Sequence, residues 1–202
     1  MRLKSALRRG VAAAVIAGIV VSSGIPAYAG TWDIADGNIT VKAGEAEGPN
    51  KVKQGDSDFV KDEGDTIITG TSDKNTVTIE AKDKDDKVEV TLKDVNIDTS
   101  SRSEAAVSVT GEGNTNIELD GDNALKSDIY RSGIYGSGSG SLTISGGEND
   151  SLTAQGGSGA DGIYSSGSLT ISGGTVTATG GDSTGSDGSG GNGIYSRNGS
   201  ID

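Results

Sequence analysis

The sequence predicts an all-β fold, a short right-handed parallel β-helix of about 27–31 residues per coil with an N-terminal β cap. The first observation is the triplet Gly-Ile-Tyr, which ends at Tyr135, Tyr164 and Tyr195, with spacings of 29 and 31 residues. The second is the run Gly-Ser-Leu-Thr-Ile-Ser-Gly-Gly, which follows the first two triplets at 140–147 and 167–174. Such a glycine-interrupted repeat is typical of a solenoid, whose units bury their faces against one another. Parallel crossovers are almost always right-handed, which gives the expected handedness.

Each repeat unit is predicted to contain three short strands and three corners. In the run 141–145, Leu and Ile point to one side and Ser and Thr to the other, because side chains alternate along a strand. A second run at 151–154 follows, and the Gly-Ile-Tyr run is the third. Glycine pairs at 146–147 and 156–157 separate the runs and favour sharp corners.

The same pattern continues upstream in a less regular form. The run 106–109 precedes the first Gly-Ile-Tyr-Gly by close to one repeat length, and 116–120 precedes the first Leu-Thr-Ile-Ser-Gly in the same way. One further unit begins at Thr76, so about four coils are expected over 76–202. The chain stops at Asp202, where the next strand should begin. We therefore expect a solenoid that is truncated at its C-terminal end.

The first 29 residues have the features of a signal peptide. Four basic residues precede an apolar run at 11–21, which is short for a membrane span, and Ala27-Tyr-Ala29 is a small-residue cleavage site. We therefore expect residues 1–29 to direct export. The protein is predicted to be secreted or held at the cell surface, without insertion of the mature chain into a membrane.

Residues 30–75 lack the repeat and are predicted to form the N-terminal cap with a charged surface excursion. The runs 31–34 and 38–41 flank an Ala-Asp-Gly segment, a pattern that favours a hairpin, and the charged stretch 45–65 is expected to lie at the surface. Trp32 is expected to cover the open end of the hydrophobic column rather than to bind a ligand.

Composition excludes several function classes. Without the leader, 13 basic residues face 29 acidic ones, a net charge of −16, and this argues against nucleic acid or an anionic membrane as partner. The chain has no cysteine and no histidine, which excludes disulfides, thiol chemistry, ordinary zinc sites and Ser-His-Asp catalysis. The acidic balance favours cations as ligands.

Oxygen-bearing side chains recur at the corner that follows the Leu-Thr-Ile strand. Stacked carboxylates repel one another unless a cation lies among them, and calcium prefers six to eight oxygen ligands. The alternative is that Asp and Asn favour turns because they bond the local backbone. The candidate calcium ligands at this corner are Asp94, Asn96, Asp120, Asp122, Asn123, Glu148 and Asp150.

A second acidic position precedes the middle Gly-Ile-Tyr triplet. The run 156–164 matches the nine-residue glycine-aspartate calcium pattern of β-roll proteins, with Asp161 as its acidic residue. Those rolls need tandem copies, so chance in a glycine-rich chain is the alternative. Asp182, Asp187 and Asn192 are expected to join Asp161 if a looser site exists.

The three tyrosines form the candidate carbohydrate-binding residues. If Ile134, Ile163 and Ile194 continue the inward column, then Tyr135, Tyr164 and Tyr195 point outward on three successive coils, as a flat strip on which sugar rings stack. The alternative is the reverse register, with tyrosine inside the coil. Outward tyrosine is favoured because a buried hydroxyl needs a hydrogen-bond partner and isoleucine does not.

Several runs, in their order along the chain, carry a resemblance to a known family. The chain resembles the carbohydrate-binding β-helix domains that clostridia and related Gram-positive bacteria export. That resemblance implies a polysaccharide-lyase-like fold without established lyase activity, binding of plant cell-wall polysaccharides such as acidic pectic chains and cellulose, and bound calcium. The runs are Thr31–Ile34, Val90–Ile97, Ile117–Asn123, Ser141–Gly147 and Gly174–Gly181.

The predicted function is therefore that of an exported, non-catalytic protein that binds cell-wall or plant polysaccharide, with acidic glycans recognised through calcium. One alternative is a calcium-dependent β-helix lyase that uses Arg102, Arg131 or Arg197 as base, although these arginines lack a recurring acidic partner. Another alternative is a structural stalk or adhesin that binds protein partners.

Overall fold

The computed structural model describes residues 30–45, 48–183 and 188–202, and these form a parallel β-solenoid of about five turns. The predicted signal peptide, 1–29, lies outside the described residues. One 3-10 helix, Ile34–Asp36, joins the first two strands. In chain order the strands are β1 (Thr31–Asp33), β2 (Ile39–Lys42), β3 (Lys51–Gln54), β4 (Val60–Lys61), β5 (Thr66–Ser72), β6 (Val77–Ala81), β7 (Lys87–Asp98), β8 (Val107–Gly111), β9 (Asn114–Asp120), β10 (Asp122–Lys126), β11 (Ile134–Gly136), β12 (Leu142–Gly146), β13 (Ser151–Gln155), β14 (Ile163–Ser165), β15 (Leu169–Ile171), β16 (Thr175–Thr179) and β17 (Ile194–Ser196).

Each regular turn has three strands, as the repeat predicts. One sheet has the order β17-β14-β11-β8-β6-β2-β3-β4. The other sheet bends at a corner into two columns, β1-β5-β7-β9-β12-β15 and β7-β10-β13-β16, because the long strand β7 belongs to both. All these pairings are parallel except β2 with β3 and β3 with β4. The three-sided solenoid is therefore confirmed.

The hydrophobic core is a column built by strand register. On the first sheet, Val107, Ile134, Ile163 and Ile194 lie opposite one another on successive turns. The first three are fully buried, and Ile194 is partly buried at the C-terminal end. On the second sheet, Ile144 lies between Ile117 and Ile171. Small and β-branched residues fill the inside of each turn, which is how a chain with few aromatic residues buries a core.

The predicted N-terminal hairpin is wrong. Strand β1 pairs in parallel with β5, and β2 pairs in parallel with β6, so the two strands belong to different sheets and turn around the 3-10 helix. The solenoid therefore begins within 30–75, and it has one turn more than the four predicted. The cap consists of the antiparallel strands β3 and β4, which extend the first sheet beyond β2.

Trp32 packs against the end of the core and is half-buried. Its indole Nε1–H donates to Asp62 Oδ2 at 2.9 Å, and the Asp62 carboxylate is itself buried. This position agrees with the expected covering role. Among the described residues, no helix is long and apolar enough to cross a membrane.

Candidate functional site

The structure confirms that the tyrosines point outward. Tyr135 lies opposite Tyr164, and Tyr164 lies opposite Tyr195, on strands β11, β14 and β17. Tyr135 and Tyr195 are 41% and 42% exposed, whereas the neighbouring Ile134 and Ile163 are fully buried. The two-residue period of a strand therefore fixes both the core and a row of tyrosines on three successive turns.

The tyrosine rings overlap instead of lying side by side in one plane. The ring centroids of Tyr135 and Tyr164 are 5.2 Å apart with an angle of 19° between the planes. Two coplanar rings would need about 6 Å between centroids, because carbon atoms pack at about 3.5 Å. The pair is therefore an offset stack. Tyr164 and Tyr195 are in contact but tilted, with ring centroids 5.9 Å apart and an angle of 36° between the planes. We call these three residues the tyrosine stack.

The middle ring has a neighbour on each side, and the two end rings have one neighbour each. Tyr164 is accordingly less exposed than the end rings, and its hydroxyl accepts a hydrogen bond from Ser166 Oγ at 3.3 Å. With centroids 5.2 Å apart and packed carbon layers about 3.5 Å apart, Tyr135 and Tyr164 are offset sideways and cover each other only in part. The three rings therefore form a stepped row instead of the expected flat strip.

A groove of ≈ 300 Å³ begins where the stack ends at Tyr135. On the next strand, β8, the register position of Tyr135 is taken by Ser108, and on β6 it is taken by Thr78. These small residues lower the surface beside the ring. We call this depression the Tyr135 groove; its lining is Thr76, Thr78, Ser103, Glu104, Ala105, Ser108, Arg131 and Tyr135.

The wall of the Tyr135 groove is held by hydrogen bonds to the backbone. Thr99 Oγ1 donates to the Glu104 carbonyl at 2.8 Å, and Arg131 Nε donates to the Ser103 carbonyl at 2.9 Å. The Arg102 guanidinium pairs with the Glu104 carboxylate at 3.1 Å. Of the arginines that a lyase could use as base, Arg131 lines this groove and Arg102 is paired with its lining residue Glu104. Arg197 lies near the C-terminal end.

At the acidic corner, carboxylates bond the backbone of neighbouring turns. Asp150 Oδ1 accepts from the Gly121 N–H at 2.9 Å and its Oδ2 accepts from the Gly147 N–H at 2.7 Å. These two donors hold the pKa of Asp150 below its ordinary value. Asp94 Oδ1 accepts from the Asp122 N–H at 3.2 Å. Gly121 has φ +75°, and a Cβ there would clash with the Asp94 carboxylate, so this corner requires glycine.

Asn123 lies inside the solenoid, although the sequence analysis placed it among the metal ligands. It is 2% exposed, and its Oδ1 accepts from the Val95 N–H at 2.9 Å. Its Nδ2 donates to the carbonyls of Gly121 and Ser151, each at 3.3 Å. The amide thus joins the backbones of three successive turns, and this local use of the side chain accounts for an asparagine at the corner.

The other predicted ligands are spread along the outside of the corner. Asp120 pairs with Lys93 at 2.5 Å, which raises the pKa of Lys93, and Asp122 Oδ1 accepts from Ser151 Oγ at 2.7 Å. Asn96 and Glu148 are exposed. Within the described ranges, no three acidic residues converge in a metal-holding group.

Asp161 lies apart from that corner, before β14. Its Oδ1 accepts from both the backbone N–H and the side-chain Nδ2 of Asn192, at 2.7 and 3.0 Å. Asp161 and Asn192 are therefore brought together, as expected, and join two turns. Asp187, another predicted member of the looser cluster, lies outside the described residues.

Sequence reasoning missed the Tyr135 groove. Ser108 stands one repeat before Tyr135, so the repeat register could have shown that the aromatic row stops there. Glu104 lies in a loop without periodic pattern, and no sequence signal places it beside a tyrosine.

Comparison of the chain with protein families, with curated proteins and with solved structures finds no match. The likeness to exported carbohydrate-binding β-helix domains thus remains a prediction that rests on the sequence runs.

Proposed function

We propose that the protein is a polysaccharide-binding protein and that the tyrosine stack is its binding surface. The observation that carries the proposal is the row of outward tyrosines on three successive turns, with a groove at its end. Solvent-exposed aromatic rings give up hydration when a sugar ring packs on them, and their hydroxyls bond sugar hydroxyls. A row of this kind suits an extended ligand that repeats, as a polysaccharide does.

The flanking residues support an oligomeric sugar ligand. Ser108, Thr78 and Thr40 continue the row beyond Tyr135 on β8, β6 and β2. Their hydroxyl groups can donate and accept hydrogen bonds, which fits the mixed donor and acceptor pattern of sugars. A chain that lies along the solenoid axis would meet rings first and hydroxyls next.

Calcium stays a prediction for the acidic corner. Asp94, Asp150 and Asn123 already accept backbone hydrogen bonds, so the exposed carboxylates of Asp120 and Asp122 are the ligands to test. If calcium binds there, millimolar calcium should raise the melting temperature of metal-free protein, and Asp120→Asn with Asp122→Asn should remove most of that gain. An unchanged melting temperature would count against a calcium site.

A glycan-array assay of the purified protein, with and without chelator, tests the proposed function. Binding to one or more polysaccharides supports it, and loss of binding with chelator would add calcium to the mechanism. Absence of binding to any glycan in both conditions would contradict it. Release of unsaturated product from polygalacturonate, measured by ultraviolet absorbance, would instead indicate the lyase alternative.

A further inference from the structure

The tyrosine stack ends at Tyr135, which is 41% exposed and lines a groove. Tyr164 covers one side of Tyr135, but on the other side the same register position holds only Ser108. The Tyr135 groove occupies the place that a fourth ring would fill. The volume of ≈ 300 Å³ is at the lower end of the range for small-molecule sites, about 300–1,000 Å³. One ring fits such a space better than several.

We propose that the Tyr135 groove holds a single uncharged pyranose unit of the bound polysaccharide, stacked on Tyr135 so that the sugar extends the tyrosine stack. The proposal rests on the proposed function and adds a specificity-determining subsite to it. The ring of Tyr135 supplies the apolar platform, and Ser108 is small enough to admit a sugar in front of it.

Polar groups of opposite hydrogen-bonding character line the same groove. Arg131 carries only donors, and the Glu104 carboxylate only accepts. The Nε–H of Arg131 is already held by the Ser103 carbonyl, which fixes the guanidinium plane and leaves its terminal nitrogens available to a ligand. Adjacent hydroxyl groups of a sugar both donate and accept, so they match this pair of side chains.

Charge favours an uncharged sugar over an acidic one. The lining of the groove contains one acidic and one basic side chain, Glu104 and Arg131, so the lining carries no formal net charge. The chain without its leader carries a net charge of −16, which repels a polyanion at low ionic strength. An uncharged pyranose is not repelled by this negative charge.

The test introduces a tyrosine ring into the groove, at the position where the row of tyrosines stops. In Ser108→Tyr, the new side chain takes the place of the sugar while the tyrosine stack stays intact. The matched control is Ser145→Tyr, on the outer face of the other sheet. Binding of cellohexaose, xylohexaose and mannohexaose is measured by calorimetry, beside hexagalacturonate as the acidic probe.

We expect wild type and Ser145→Tyr to bind an uncharged hexasaccharide alike, and Ser108→Tyr to bind it about tenfold more weakly or worse. Arg131→Gln should also weaken binding, with a small fall in melting temperature because the bond from Arg131 Nε to the Ser103 carbonyl is lost. Undiminished binding by Ser108→Tyr, together with weak binding by Tyr164→Ala, would overturn the subsite and leave the proposed function standing. Preference for hexagalacturonate that Arg131→Gln abolishes would overturn the uncharged assignment. If wild type binds no glycan, the proposed function itself fails.

Discussion

At the scale of single residues, the alternation of Ile and Tyr along β11, β14 and β17 decides what is core and what is surface. Ile163 is fully buried between Ile134 and Ile194, and Tyr164 points the opposite way. The same two-residue period also explains why a polar side chain such as Asn123 is buried, because its position in the strand places it on the inward face.

Ile163 and Tyr164 should therefore differ in their effect on stability. Ile163→Ala leaves a cavity in the core column and should cost about 2–5 kcal/mol. Tyr164→Ala removes a partly buried outer ring and should cost less, about 1–3 kcal/mol, because two ring contacts of about 0.5–1.5 kcal/mol each are lost. Denaturant unfolding of both variants measures the difference. A larger loss for Tyr164→Ala would contradict the outward register.

Replacing the buried hydroxyl group of Thr115 should stabilise the protein. It is buried between Val88 and Leu142, and its hydroxyl has no hydrogen-bond partner among the described residues. Thr115→Val keeps the shape and removes an unsatisfied polar group, so the free energy of unfolding should rise by about 1 kcal/mol. The exposed-face control Thr143→Val should bring no comparable gain. A destabilised Thr115→Val variant would show that the hydroxyl has a partner.

Asn123 should be sensitive to substitution for the opposite reason. Asn123→Val fits the apolar column beside Leu152 but leaves the Val95 N–H without its acceptor. It also removes one donor from each of two carbonyls, of which that of Gly121 keeps the Ser151 N–H. We expect a loss of about 2 kcal/mol or more in thermal or denaturant unfolding. Asn96→Val, on the exposed side of the same corner, serves as control and should change stability little. Equal effects of the two variants would remove the assigned role of Asn123.

At the scale of elements, the acidic corner gives a pH dependence. Because the folded state lowers the pKa of Asp150, its carboxylate stabilises the fold above the unfolded pKa of about 3.9, and this contribution is lost as pH falls through the lower folded pKa. Asp150→Asn should therefore flatten the fall in unfolding free energy as the pH is lowered below about 4. Unfolding curves over that range test it, with Glu148→Gln as the exposed control. Identical slopes for wild type and Asp150→Asn would contradict the bonding at Gly121 and Gly147.

The elements also show what the sequence could predict. The turns from Thr76 onward were predictable because Val107 and Ile134 recur at a spacing close to that of the later triplets. The first turn was missed because Ile39 pairs with Val77, well over one repeat length further along the chain, across an excursion that breaks the period. Strands β1 and β2 of that turn have only three and four residues, too few to show a strand pattern by themselves.

The candidate site divides in the same way. Outward tyrosines follow from strand period, but ring overlap depends on side-chain torsions that no sequence pattern specifies. The Tyr135 groove depends on the loop that contains Glu104. Thr99 holds that loop through a hydrogen bond that the sequence repeat does not predict. Asn123 was predicted as a metal ligand from its residue type alone. Its position in the strand indicated burial, because Leu125, two positions further on and therefore on the same face, is buried.

At the scale of the whole molecule, the solenoid turns a weak repeat into a continuous surface. Each turn adds one outward residue to the same row, so the tyrosine stack and the Tyr135 groove lie in line along one sheet. Neighbouring strands are about 4.8 Å apart, which keeps the rings in contact without any direct link between them in sequence. The fold therefore presents one extended surface that no single turn could form alone.

Calorimetric titration of Tyr164→Ala with a glycan that binds wild type tests the central claim most directly. Loss of the middle ring breaks the tyrosine stack, so affinity should fall by about 1–2 kcal/mol, roughly tenfold, while the protein remains folded. Thr170→Ala, an outward residue of the other sheet, should bind as wild type does. A folded Tyr164→Ala variant with undiminished affinity would contradict the claim that the tyrosine stack binds the polysaccharide.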